Sequence, residues 1–217
     1  MQRFQFLKLA AAAVIAVPLL LSGCGDKKTA ELRVGATAGP HAANVQKAAE
    51  VAKKQGLNVK VIEFTDYISP NKSLEEGSLD IVIYQHEPFL NNFNKQQGTH
   101  LKNIGVAVVQ PMGFYSKNIH SLKDIPDGAT FAIPNDPSNE GRGLQLIEKA
   151  GLIKLQPGKD GFYYESKEAP YALIIIAARE NNANNADVQK FVKAFQSPEV
   201  AKFIKEEFKG AVVPAWE

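Results

Sequence analysis

Three short clusters carry side chains able to recognise a small molecule. They are Phe64-Thr65-Asp66-Tyr67, Tyr84-Gln85-His86-Glu87-Pro88-Phe89, and the run from Pro134 through Asp136 and Asn139 to Arg142. Tyr67, Tyr84 and Phe89 offer aromatic faces and edges, which suit an apolar side chain and a thioether sulfur in particular. Arg142 lies near a helix start, where a guanidinium fork and the helix dipole together favour a carboxylate or phosphate. Each residue also has an ordinary reading: Arg142 as a solvated first-turn residue, His86 as a cap or core hydrogen-bonder. Catalytic patterns are missing. His86-Glu87 begins like a zincin helix, but position 90 is Leu, so the second histidine is absent. There is no Gly-x-Ser-x-Gly elbow and no phosphate-binding loop ending in Lys-Ser/Thr. The oxygen donors of Asp136–Gly141 lack calcium-loop spacing. The clusters read as a binding site, not an enzyme's active site, with no metal and no cofactor.

The elements that must position these residues alternate between strand and helix. Strands are expected at Glu31–Ala36, Val59–Phe64, Ile81–Tyr84 and Ile104–Val109, then at Met112–Ser116, Thr130–Pro134 and Leu173–Ala178. A helix opened by Pro40 carries Ala42, Val45, Ala49 and Ala52 and stops at Gly56. Others open at Ser69-Pro70, run from about Glu87 to Gln97, and run from about Asn139 to Ala150. Two closing helices carry the stripes Val188/Phe191/Val192/Phe195 and Val200/Phe203/Ile204/Phe208, which are core faces. This alternation implies an α/β fold with parallel or mixed sheets, in which ligands sit at the carboxyl ends of strands. All three clusters occupy such positions.

Composition narrows the class further. The 217 residues are 45% hydrophobic, ordinary for a folded globular chain and unlike a disordered or multi-span one. Lys+Arg number 25 against 23 Asp+Glu, too even a balance to imply a nucleic-acid partner. The single cysteine excludes an internal disulfide framework and a thiolate zinc site. Residues 1–23 carry Arg3 and Lys8, no acid, and an apolar run from Leu9 to Leu21, the form of a secretory signal. It ends in Leu21-Ser22-Gly23-Cys24, with Cys24 placed for lipidation and residues 24–30 as a polar tether.

The signal ending in Cys24 resembles a bacterial lipobox. Taken with Val34-Gly35-Ala36-Thr37-Ala38-Gly39-Pro40-His41, Tyr84-Gln85-His86-Glu87-Pro88-Phe89-Leu90, Ile133-Pro134-Asn135-Asp136-Pro137, Gly141-Arg142 and Val213-Pro214-Ala215-Trp216, it resembles the MetQ/NlpA lipoproteins. The resemblance runs over nearly the whole chain. It implies a two-lobed, periplasmic-binding-protein-like (type 2) fold with mixed sheets, which delivers methionine or a related small amino acid or peptide to an ABC permease and its ATPase. It also implies a lipid anchor on a membrane facing the periplasm or cell exterior. By position, Tyr67, Tyr84, His86 and Phe89 would enclose the methionine side chain and Arg142 would pair with its carboxylate. Lobe 1 would span 31–110 and 181–217, and lobe 2 residues 111–180.

The chain departs from the family pattern in two places. An Ile-Asn-x-x-Tyr segment expected between Leu155 and Phe162 is missing, with roughly 50 residues lost after Leu155, which would leave a small lobe burying a poor fraction of its surface. A second family asparagine, after the counterpart of Ala169-Pro170-Tyr171, is replaced by Leu173. An α-ammonium without those acceptors forgoes roughly 1.5–3 kcal/mol per hydrogen bond. The alternative to transport is therefore a degenerate member acting as an interaction or structural surface lipoprotein.

Overall fold

The computed structural model describes residues 31–155 and 172–217. Cys24, the segment between Leu155 and Phe162, and Ala169-Pro170-Tyr171 lie outside the described residues. Strands β1 (Leu32–Thr37), β2 (Val59–Phe64), β3 (Ile81–His86), β4 (Leu101–Val109), β5 (Leu173–Arg179) and β6 (Val213–Pro214) form one mixed sheet in the order β2-β1-β3-β5-β4-β6. β1 pairs parallel with β2 and β3, whereas β5 runs antiparallel between β3 and β4. The carboxyl ends of β1, β3 and β4 and the start of β5 therefore share one edge.

Alternation along the strands builds two cores. Ile81, Ile83, Ile174 and Ile176 face helices α1 (Pro40–Lys54), α5 (Ala186–Phe195) and α6 (Pro198–Phe208). The stripes expected on the last two helices supply Phe191 and Phe195, both fully buried, and Phe195 meets Trp216 with ring centroids 5.7 Å apart. On the other face, Val82, Tyr84, Ile175 and Ala177 pack on α2 (Ser69–Glu75) and α3 (Glu87–Gln97) through Leu74, Phe89, Leu90 and Phe93. A strand reading Leu-Ile-Ile-Ile-Ala-Ala tolerates no polar face because both faces are covered, and its interior residues are buried throughout.

Two sequence expectations need correction. Met112–Ser116 and Thr130–Pro134 form no strand. They approach each other through Phe114 and Phe131, whose ring centroids are 5.7 Å apart. A strand exists only where a neighbour supplies the other half of the ladder, and the described residues give these segments none. β5 lies in the main sheet, and the Gln110 N–H donates to the Ala172 carbonyl at 2.7 Å, so the chain leaves and re-enters the sheet side by side. Lastly, β3 reaches His86 and β4 begins at Leu101, because β5 pairs with both to those limits. Beyond the sheet, α4 (Pro137–Lys149) matches the helix expected near Asn139–Ala150.

Helix α1 buries two polar side chains against this core. Asn44 is 1% exposed, and neither its amide oxygen nor its nitrogen has a hydrogen-bond partner. His41 is buried with Nδ1 unpartnered, and burial pushes its pKa down from 6.5 to about 4. Asn44→Val, which removes two orphaned groups at nearly constant volume, is expected to stabilise the chain by about 1–3 kcal/mol, read from the urea midpoint. His41 gives a pH dependence. Its folded pKa lies below its unfolded one, so the unfolded state binds the proton first and stability falls as pH drops from 6.5 to about 4. The loss contributed by this group is about 3 kcal/mol. Urea melts of His41→Gln at pH 7 and pH 4 should show that much less acid sensitivity; an unchanged slope would contradict the assignment.

Candidate functional site

The strand-end edge opens onto a cavity of about 440 Å³, within the usual size of a small-molecule pocket. Tyr67, Tyr84, His86, Phe89 and Arg142 all line it. Each reaches it by a local device. The Asp66 carboxylate accepts from the backbone N–H groups of Ile68 (2.8 Å) and Ser69 (2.7 Å), bending the chain after β2 so that Tyr67 turns inward. The bond from Ser69 is the main reason the Asp66 carboxyl is held below its ordinary pKa. The Tyr84 hydroxyl donates to the Tyr67 carbonyl at 2.9 Å and ties the two aromatics together. Burial pushes the Tyr84 phenol well above its ordinary pKa, so it stays a neutral donor.

Phe89 completes an aromatic wall. Its ring stands edge-on to Tyr67 (6.3 Å), Tyr84 (6.1 Å) and His86 (6.3 Å). His86 is the N-cap of α3, with Nδ1 accepting from the Phe89 N–H at 3.1 Å. The ring proton therefore sits on Nε2, which faces Asn139 Oδ1 at 3.0 Å. Burial lowers the His86 pKa, partly offset by the bond to Asn139, and the imidazole is neutral near pH 7. His86 thus fills its ordinary role as a cap and lines the cavity as well.

The opposite wall is α4. The expectation that its N-terminus is open to an anionic ligand is corrected by Asp136. That carboxylate caps the helix, accepting from the Asn139 N–H at 2.9 Å and the Ser138 hydroxyl at 2.6 Å. An internal anion already occupies the dipole end, so the guanidinium is what α4 offers a carboxylate. Arg142 Nη1 donates to Asn139 Oδ1 at 3.1 Å. The helix comes close enough because residue 143 is glycine: a Cβ there would stand 3.1 Å from Ile133 Cγ2.

Asn139, His41, Gln110 and Ile174 also line the cavity and were not singled out as site residues by the sequence reading. Asn139 lies one helical step from Asp136 and from Arg142, a spacing that places all three on one face. His41 and Gln110 follow β1 and β4, so the same strand-end rule covers them. Gln110 Oε1 is buried without a partner. On β5 it is Ile174, paired with His86, that meets the cavity; Leu173 is paired with Val109 and does not line it.

Comparison with known proteins gives a consistent picture. The sequence model of the NlpA lipoprotein family matches residues 32–162 and 154–216. A probable D-methionine-binding lipoprotein MetQ of Vibrio cholerae is 35% identical over 269 positions, covering 99% of this chain and 100% of the relative. The D-methionine-binding lipoprotein MetQ of Escherichia coli K12 is 33% identical over 270 positions, covering 98% and 99%. Among solved structures, a nutrient binding protein from Burkholderia cenocepacia bound to methionine has a TM-score of 0.75 and 37% identity, covering 85% of this chain and 99% of its own. The methionine binding protein MetQ has a TM-score of 0.76 and 32% identity, covering 86% and 98%. The alignment with the Vibrio cholerae protein runs over 269 positions against the 217 residues of this chain, and the two family matches overlap at 154–162. The mixed α/β sheet, the strand-end cavity and these matches agree: the chain belongs to the NlpA lipoprotein family, whose members are substrate-binding proteins and not enzymes.

Proposed function

We propose that this chain is a lipid-anchored solute-binding protein that delivers methionine, or a related small amino acid or peptide, to an ABC permease and its ATPase. The observation that carries the reading is the pairing of an aromatic wall (Tyr67, Tyr84, Phe89) with a guanidinium (Arg142) across one cavity. Aromatic edges suit a thioether sulfur, and a guanidinium suits the carboxylate at the other end of the same molecule. The relatives' methionine-binding names agree with that division of labour. In this reading Cys24 carries the lipid. No helix among the described residues is long and apolar enough to span a membrane, and two or more acyl chains would hold the protein to the envelope.

The two walls belong to two lobes that close by hinge motion. Residues 31–110 and 173–217 form the first, and the segment leaving at Pro111 and returning at Ala172 forms the second. In this reading the segment lost after Leu155 comes from the second lobe, and the overlap of the two family matches at 154–162 supports it. A second reading follows from that loss, a degenerate member acting as a surface interaction lipoprotein. It is favoured by the apolar groove beside the cavity, where Tyr115 is 92% exposed and Leu122 47%.

Calorimetry separates the two. The transport reading expects saturable heat with L- or D-methionine at a Kd of roughly micromolar or tighter, about 8 kcal/mol, and a ligand-dependent rise in melting temperature. Arg142→Met should weaken binding by about two decades, the loss of one or two charge-assisted hydrogen bonds. No heat and no thermal shift with either enantiomer would remove methionine transport and leave the interaction reading.

A further inference from the structure

The hydrogen bonds around Asn139 permit a single polarity. The Asp136 carboxylate accepts, so the amide nitrogen of Asn139 faces it, at 3.0 Å from Oδ2 and 3.2 Å from Oδ1. The amide oxygen is thereby turned the other way, where it accepts from His86 Nε2 at 3.0 Å and from Arg142 Nη1 at 3.1 Å. His86 has no choice of proton position either, because its Nδ1 accepts from the Phe89 N–H. Each bond fixes the direction of the next, from the cap of α4 to the cap of α3.

The joint lies between two walls. His86 ends β3, and Asn139 and Arg142 belong to α4 on the far side of the cavity. One amide oxygen is thus the meeting point of N–H groups on two cavity-lining side chains from opposite walls. An arginine left to itself samples many rotamers, and fixing it beforehand lowers the cost of ligand capture.

We propose that Asn139 is the positioning residue of the cavity, which sets the plane of the His86 ring and holds the Arg142 guanidinium beside it through one shared oxygen. The effect on affinity rests on the methionine reading above; the effect on the His86 ring does not. Two variants of the full chain test it. Asn139→Leu keeps the approximate volume and removes the amide. Asn139→Asp keeps an oxygen toward His86 and Arg142, while its other oxygen and the Asp136 carboxylate share one proton in place of the amide donor. Ring ¹⁵N–¹H spectra should show a neutral His86 with a slowly exchanging Nε2–H in the parent chain. That slow exchange is lost in Asn139→Leu and retained in Asn139→Asp. L-Methionine calorimetry on Asn139→Leu should show about tenfold weaker binding or worse.

Equal affinity together with an unchanged Nε2–H in Asn139→Leu would overturn the proposal. If the leucine variant does not fold, the aspartate variant decides: loss of the slow Nε2–H in a folded chain overturns it, and retention supports it. If no chain binds methionine while the leucine variant still loses the ring signal, the positioning role stands and the methionine reading falls.

Discussion

Everything distinctive about this protein depends on where β5 enters the sheet. The strand runs antiparallel between β3 and β4, with both faces buried, so it cannot be omitted without opening both cores. Its start lies beside the end of β4, joined by the Gln110–Ala172 bond. The chain therefore exits and re-enters at neighbouring points, and whatever lies between is an excursion whose length the sheet does not fix. That geometry is compatible with an alignment to a relative that runs over more positions than this chain has residues, and with a TM-score of 0.75 to a solved neighbour.

The cavity inherits the opposite property. Half of it is built on strand ends that the core holds firmly: Tyr84 and His86 on β3, and Phe89 one turn into α3. The other half belongs to the excursion, where α4 runs near α3 and meets the first half through the polar contact of Asn139 with His86. Of the α4 residues, Gly143 and Ile147 are buried, a small apolar payload for a thirteen-residue helix. A helix so lightly packed is held at the cavity in large part by its polar contacts. Changes in the excursion are thus felt in the ligand site before they are felt in the stability of the first lobe.

Much of this was legible in the sequence, and the parts that were not share a cause. The Ile/Val runs of β3 and β5, the Pro and Gly punctuation of α1, α2 and α3, and the phenylalanine stripes of α5 and α6 are local signals. The structure follows them closely. Met112–Ser116 and Thr130–Pro134 carry the composition of strands, but a ladder needs a partner that is set by distant chain. Site residues named from motifs arrived at one cavity because the strand-end rule places them there. Asn139 stands in the third cluster, but its particular role is not legible there because it depends on His86, 53 residues away. Asp136 reversed an expectation for a similar reason: a carboxylate at the N-cap fills the helix terminus that a bound anion would otherwise use.

The methionine reading requires that the cavity enclose a methionine-like zwitterion between the aromatic wall and Arg142. A crystal structure grown with saturating L-methionine tests it most directly. The account predicts a carboxylate within hydrogen-bond distance of the Arg142 guanidinium and the thioether among Tyr67, Tyr84 and Phe89. Methionine bound away from these residues, or a cavity without ligand at saturating concentration, would contradict it.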